Sequence, residues 1–532
     1  MTVTTIDTSA PVERAGKREW IGLAVLALPT LLLALDMSVL HLAVPHLAAD
    51  LRPSSSQLLW ITDIYGFMVA GFLITMGTLG DRIGRRKLLM IGAVGFAAAS
   101  ALAAFSTSAE MLIATRTLLG IAGATLMPST LGLISNMFKD PQQRGVAIAV
   151  WMSCFMGGMA LGPAVGGVLL EAFSWGSVFL LGVPVMVLLL ATGPFLLPEY
   201  RNPDAGRLDL VSVGLSLGAI LPIIYGLKEL AKDGVSTVAL TVAAAGVVVG
   251  AAFVRRQLRL ADPLLDLRLF RNKRFSSALG IFSVGGFAMG GIFLFLSQYL
   301  QLVEGLTALE AGLWLVIPAA AMIGGTMYGP ALSRRVGAGW VIGGGMAVSA
   351  TGLLLITQAG ATGGLGIVIV GMIIANVGMG PGAALTTDIV VGSAPPEKAG
   401  SAASVSETSA EFGIALGIAT LGSLGTAVYR SDLTLPAGTP AELATAAQDS
   451  LPGATVAAAD LPADVAGPLL ESAREAFMTG LTTVAGISAA ALFVFAVVGV
   501  TLFRRFQPAA HAPEPEAESA DVADAEPEPV AA

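Results

Sequence analysis

The chain is poor in the residues on which soluble enzymes and metalloproteins depend. Among 532 residues there are one cysteine and three histidines, and only 12% are charged. The single thiol, Cys154, allows no intrachain disulfide, so the fold must rest on packing. So few soft donors make a metal centre unexpected, and no other cofactor is implied. Neither a G-x-x-x-x-G-K-[ST] run nor an H-E-x-x-H run occurs, which removes the footholds of nucleotide hydrolysis and zinc proteolysis. A nucleic-acid partner is not expected, nor is a second copy of the chain.

Apolar surface is what the chain has in excess. It is 55% hydrophobic with a mean hydropathy of +0.79, beyond what an ordinary soluble domain can bury. These values imply an integral membrane protein. The net charge of −8 comes mostly from the tail, where Glu514, Glu516, Glu518, Asp521, Asp524, Glu526 and Glu528 leave the body nearly neutral. From about Gln507 that tail is rich in Pro, Ala and Glu, reads as disordered, and is given no mechanism.

A bilayer span needs about 20 mostly apolar residues. That ruler gives fourteen candidates, at roughly 20–44, 57–78, 88–106, 111–136, 145–170, 176–197, 209–228, 236–254, 276–302, 309–332, 339–358, 365–390, 399–428 and 476–503. Arg14, Lys17 and Arg18 lead into an apolar run too long for a signal-peptide core, so span 1 is read as retained. An even count places both termini on one side. Basic residues crowd alternate loops, among them Arg82 to Lys87, Arg255 to Arg274, and Arg334 with Arg335. The opposite loops hold only Arg52, Lys228, Lys232, Arg430 and Arg474. The imbalance predicts cytoplasmic termini in the cytoplasmic membrane. One outer loop, 430–474, is long. Its stretches 440–449 and 463–477 read as short helices separated by Pro452 and Pro462, forming a hairpin that either covers an exit mouth or is passive.

Five ionisable residues lie inside apolar segments: Asp36, Asp63, Arg116, Glu407 and Glu411. Each costs about 2.5–3.5 kcal/mol at a helix centre, so each implies a task. Glu407 and Glu411 are four residues apart on one helical face, where they can share a proton and look into one water-filled cavity. Asp36 is central in span 1 and cannot snorkel. A proton-coupling role is preferred for it over a buried structural pair with Arg116. Asp63 has Trp60 one turn before it and Phe67 one turn after, a carboxylate flanked by rings that suits a lipophilic cation, each ring face giving about 0.5–2 kcal/mol. The alternative is that these rings only face lipid. Gln298 and Asn376 are candidate hydrogen-bonders in the cavity. His41 lies about 140° round the helix from Asp36, and His46 sits near the same outer end, so structural roles are read for both. Asp388 reads as a partner at the end of span 12.

Between spans 2 and 3 stands Gly77-Thr-Leu-Gly80-Asp81-Arg82-Ile-Gly84-Arg85-Arg86-Lys87. Its glycines permit a tight turn and close helix approach, and Asp81 can cap a helix or pair with a base. A partial echo, Leu332, Arg335 and Gly337, recurs between spans 10 and 11 at the spacing of Leu79, Arg82 and Gly84. The echo fits two related halves, spans 1–6 and 9–14, with spans 7 and 8 inserted. Span 5 carries Gly158-x-x-x-Gly162-Pro163-x-x-Gly166-Gly167, small residues for close packing with a proline bend.

The loop after span 2 resembles the signature of the major facilitator superfamily, and the span 5 run resembles that of its drug antiporters. Leu35-Asp36-Met37, Leu59 to Tyr65, Ser406 to Gly413, fourteen spans and the long loop after span 13 narrow the resemblance to the fourteen-span drug:proton antiporter family, over essentially residues 18–505. The resemblance implies an all-α membrane protein of the major facilitator fold, with two six-helix bundles and two inserted helices. Its divisions would be a 1–19 segment, a 20–197 bundle, inserted helices in 198–275, a 276–505 bundle with the 430–474 hairpin, and the 506–532 tail. The implied activity is proton-coupled export of quaternary ammonium compounds, cationic dyes and, in some members, fluoroquinolones, with protons, organic cations and the bilayer as partners. Arg116 resembles a family position linked to proton transfer, and the loop after span 2 one that locks the outward-open state. Span 10 lacks a central acid, which puts divalent cations in doubt. Competing readings are an exporter of one endogenous metabolite or antibiotic, a uniporter or uptake symporter, and, in a different class, a membrane enzyme, for which no catalytic constellation assembles.

Overall fold

A computed structural model of the chain describes residues 14–53, 55–201, 208–233, 236–260, 263–395 and 398–503. The proposed tail and most of the segment before span 1 lie outside these residues, as do the side chains of His41 and Pro163. Among the described residues the chain is helical throughout, and fourteen helices are long and apolar enough to cross a membrane. They are α1 Lys17–Leu51, α2 Ser55–Ile83, α3 Arg85–Ala104, α4 Ala109–Met137, α5 Pro141–Ala172 and α6 Ser177–Leu196, the last with a break at Leu181. Next come α7 Leu210–Asp233, α8 Thr237–Gln257, α9 Lys273–Val303, α10 Ala308–Val336, α11 Ala338–Ile356, α12 Leu365–Gly392, α13 Ala399–Asp432 and α14 Ala463–Phe503. Each carries the number of its span.

Local chemistry sets many of the helix starts. Ser108 accepts from Met111 N at 3.2 Å to open α4, Asp140 accepts from Gln142 N at 2.9 Å to open α5, and Thr307 with Glu310 forms a capping box on α10. Gly84 (φ +110°) and Gly337 (φ +88°) precede α3 and α11 in the left-handed region. Both glycine N–H groups donate back to a carbonyl four residues earlier, Gly80 and Ser333. The echo seen in sequence therefore has the same backbone shape in both halves, a shape that L side chains rarely adopt.

Two large apolar cores form among the described residues, with a small third cluster between α2 and α7. One joins α1 to α6 and extends to Ala384 and Val391 of α12 and Ala399 and Ala403 of α13. The other is built mostly from α8 to α14. Helices α7 and α8 pack on each other, and α7 also touches α2 and α13.

The long loop differs from expectation at its second helix. Ala441–Asp449 is helical, as read, but its partner is Leu451–Ala459, and 463–477 is the first part of the 41-residue α14. Pro452 occupies the first turn, where its missing N–H costs nothing, and Ser450 caps Gly453 N at 3.2 Å. Pro468, the sixth residue of α14, lies inside the helix and does not end it. The short helices are fixed to the second core: Ala447, Leu451, Ala454 and Ala457 are fully buried, and Tyr429 of α13 donates to Ala447 O at 2.7 Å.

Candidate functional site

The buried charges of the first half meet where the middle of α1 passes the first third of α4. Asp36 Oδ2 of α1 lies 3.8 Å from Arg116 Nη1 of α4, with side chains 9% and 2% exposed. At that distance they are paired by charge without a hydrogen bond, and Asp36 Oδ2, Arg116 Nε and Arg116 Nη1 have no hydrogen-bond partner among the described residues. Arg116 is held between rings, its guanidinium 5.3 Å from the centre of Tyr65 and 5.8 Å from that of Phe179. Breaking such a pair leaves an uncompensated buried charge, the costly case in a low dielectric.

Tyr65 links this pair to the second half. A cavity of about 20 Å³, room for one water, is lined by Leu33 and Met37 of α1, Tyr65 and Gly66 of α2, Met127 of α4, Phe155 of α5 and Glu411 of α13. Among the described residues, Glu411 is its one contribution from the second half. Glu407, one turn nearer the start of α13, is half-buried, interacts electrostatically with Glu411, and makes no hydrogen bond or ion pair among the described residues. Asp36, Arg116 and Glu411 are thus brought together around Tyr65, to which the sequence alone assigns no role.

Asp63 contributes to the electrostatics around Arg116. The structure turns its neighbouring rings toward α7. Trp60 stacks with Tyr225 at 6.4 Å and 15°, Phe67 stands 6.1 Å from Trp60 and 6.5 Å from Tyr225, and Phe67 is buried against Ala70 and Ile224. Phe67 is therefore a packing residue of the α2–α7 seam, while Trp60 stays 40% exposed. Asn376 is buried and donates to its own helix at Met372 O (2.8 Å), and Gln298 does so at Leu294 O (3.5 Å). His46 is exposed.

At the end of the bundle that carries the basic loops, the halves are closed on each other. Gly77 permits contact of α2 with α13, since a Cβ there would lie 2.6 Å from Ser404 Oγ and 2.7 Å from Gly400 O. Asp81 Oδ2 crosses the seam to accept from both N and Oγ of Ser401 at 3.0 Å, which seats a carboxylate on the first turn of α13. Its other oxygen takes Arg85 Nε at 2.8 Å, and Arg85, fully buried, continues to Gly132 O at 2.7 Å. Glu199 accepts from the N–H groups of Arg86 and Lys87 and closes over Gly84. Gly80 lies against Leu88, and Arg82 is half-buried. A second bridge joins Arg144 of α5 to Asp388 of α12 at 2.6 Å.

In the span 5 run, a Cβ on Gly158 would meet Leu31 O at 2.3 Å and one on Gly162 would meet Ser38 Oγ at 1.7 Å, so both let α5 press against α1. Gly166 is buried. Gly167 has nothing within 4 Å of such an atom. It is corrected from a packing position to one that faces open space, because it lies a quarter turn beyond Gly166 on the helix.

Two joined helix bundles, a charged cluster at mid-depth and a seam sealed at one end define a secondary transporter of the major facilitator type. The Major Facilitator Superfamily model matches residues 26–418, and the chain belongs to that family. Within it the chain is similar to the multidrug efflux pump LfrA of Mycolicibacterium smegmatis, 45% identical over 94% of this chain and all of that protein. It is 35% identical to the methyl viologen resistance protein SmvA of Salmonella typhimurium (91% and 98% covered). It is 31% identical to a tetracenomycin C resistance and export protein of Streptomyces glaucescens (93% and 94% covered). Among solved structures, the human organic anion transporter MFSD10 superposes with a TM-score of 0.57 at 18% identity, over 89% of this chain and 99% of that one. A bacterial homologue of the lysosomal transporter Spinster gives 0.56 at 17%, over 93% and 100%. The chain is a multi-pass membrane transporter of the multidrug efflux pump family, not an enzyme.

Proposed function

We propose that this protein is a proton-coupled antiporter that exports lipophilic organic cations across the cytoplasmic membrane, with both termini in the cytoplasm. The observation that carries the reading is Glu411, which reaches from the second half into a cavity beside Tyr65, whose ring lies against the Arg116–Asp36 pair. A carboxylate on each side of one seam can hold a cation in one state and protons in the other, and the orphaned oxygen of Asp36 is a place for a proton to arrive. Glu407 would share the proton load of Glu411, and Asp63 with Trp60 would draw the cation in. The two bundles would then rock about the fixed cluster, with the Asp81–Ser401 contact holding the basic-loop end shut. One pH unit supplies about 1.4 kcal/mol per proton, and each net charge moved gains about 2.3 kcal/mol per 100 mV.

Ethidium efflux from cells, measured with and without an uncoupler, tests the reading. Collapse on uncoupling is expected, and Asp36→Asn should abolish efflux of every substrate. Normal proton-coupled efflux by Asp36→Asn would remove its assigned role. Similarity to a tetracenomycin C exporter favours a second reading, export of one antibiotic or metabolite. An array of cations separates the two, because a dedicated exporter would leave most of them inside.

A further inference from the structure

The α8–α9 connector is threaded into the sealed seam. Thr78 of α2, 5% exposed, donates to Leu264 O of that connector at 2.7 Å, and its hydroxyl lies 3.3 Å from Ser401 Oγ. Each hydroxyl has one proton. With Thr78 bonded to Leu264 O, the proton of Ser401 goes to Asp81 Oδ2. Leu264 is itself clamped: Gln257, 3% exposed, accepts from Leu264 N at 2.7 Å and Leu265 N at 3.3 Å, and its amide donates to Ser212 Oγ of α7 at 2.8 Å. Two residues on, Asp266 pairs with Lys398, just ahead of α13, at 2.6 Å. The connector therefore grips the second half through Asp266 and touches the first through Thr78, beside the α2–α7 packing already described.

We infer that the α8–α9 connector is a strap that travels with the second half, and that Thr78 is the positioning residue it must release whenever the basic-loop end opens. Leu264 and Leu265 belong to the core of α8 to α14, and the connector runs straight into α9. When α2 and α13 part, Asp266–Lys398 stays intact and Thr78–Leu264 breaks. The inserted helices then bias the transport cycle by adding to closure at one end, a role separate from any contact with substrate.

The test uses purified full-length protein in nanodiscs, without substrate or gradient, so its outcome does not depend on the cation and proton reading. Spin labels at Lys87→Cys and Arg335→Cys, in a Cys154→Ser background, report the separation of the two halves at this end. Thr78→Val, which keeps shape and removes the donor, should raise the open-to-closed ratio about fivefold, the weight of one hydrogen bond. Thr78→Ser should restore it, and Lys398→Met should leave it within twofold. Gln257→Met, which frees the strap from its other side, should shift it in the direction of Thr78→Val and serves if that variant does not fold. An unchanged distance distribution in Thr78→Val would overturn the proposal. So would a shift confined to Lys398→Met, which would mean that the strap travels with α2.

Discussion

At the residue scale, the cluster is defined by charges with too few partners. Arg116 is buried between two rings and reaches Asp36 by charge alone. Arg116→Met should lower stability by about 3 kcal/mol, the usual cost of orphaning a buried charge, and adding Asp36→Asn should recover part of it. Chemical unfolding in detergent, read as midpoints for the two single variants and the double, checks this. Glu411 and Glu407 should differ, because Glu411 alone lines the cavity with Tyr65. Glu411→Gln should therefore change efflux of some cations much more than others, as measured over a dye panel. The acids were legible in the sequence because charge in an apolar run stands out. Tyr65 and Tyr225 were not, since an aromatic residue in a membrane helix is common and only packing shows which ring meets a guanidinium or another ring.

At the element scale, helix ends carry the specific information. Gly84 has φ +110° with Glu199 Oε1 2.6 Å from where a Cβ would sit. Gly84→Ala should thus cost about 1–3 kcal/mol, the usual strain of a sparsely populated backbone region, more than the same change at open Gly366, as thermal unfolding can show. At the start of α7, hydrogen bonds from Arg256 and Ser212 hold the carboxyl of Asp209 down at about 2 against its ordinary 3.8. A depressed value stabilises the fold above the unfolded pKa and loses that contribution as pH falls toward 2. The difference in thermal stability between wild type and Asp209→Asn should therefore be full at pH 5 and shrink progressively below pH 4. Span positions followed from apolar length alone. The helix at Leu451–Ala459 was missed because Pro452 reads as a breaker in sequence and acts as a first-turn residue in place.

At the scale of the whole molecule, one equilibrium is set by contacts far apart in the chain. Asp81 meets Ser401 and Arg144 meets Asp388, pairs separated by 320 and 244 residues. Both seal the same end, so they act on the same opening step. Asp81→Asn and Asp388→Asn should each raise the open population about tenfold, and the double variant by about the product, as expected for rigid bodies without shared partners. Accessibility of a thiol placed in the seam measures it. The glycine-rich motif was legible because its spacing is distinctive. Its receiver, Ser401, was not, because a serine at a helix start looks like any other cap.

The 41 residues of α14 make a rod of about 60 Å, twice the hydrocarbon thickness of a bilayer. Its first part has Ala447, Leu451 and Ala454 of the short helices buried beside it, and that bracing makes the extra length a rigid mast. An antibody fragment that grips this mast would move as one piece with half of the molecule. It would supply an alignment landmark for cryo-electron microscopy of a particle otherwise hidden in its detergent belt and, in the proposed orientation, a way to jam the pump from its outer face.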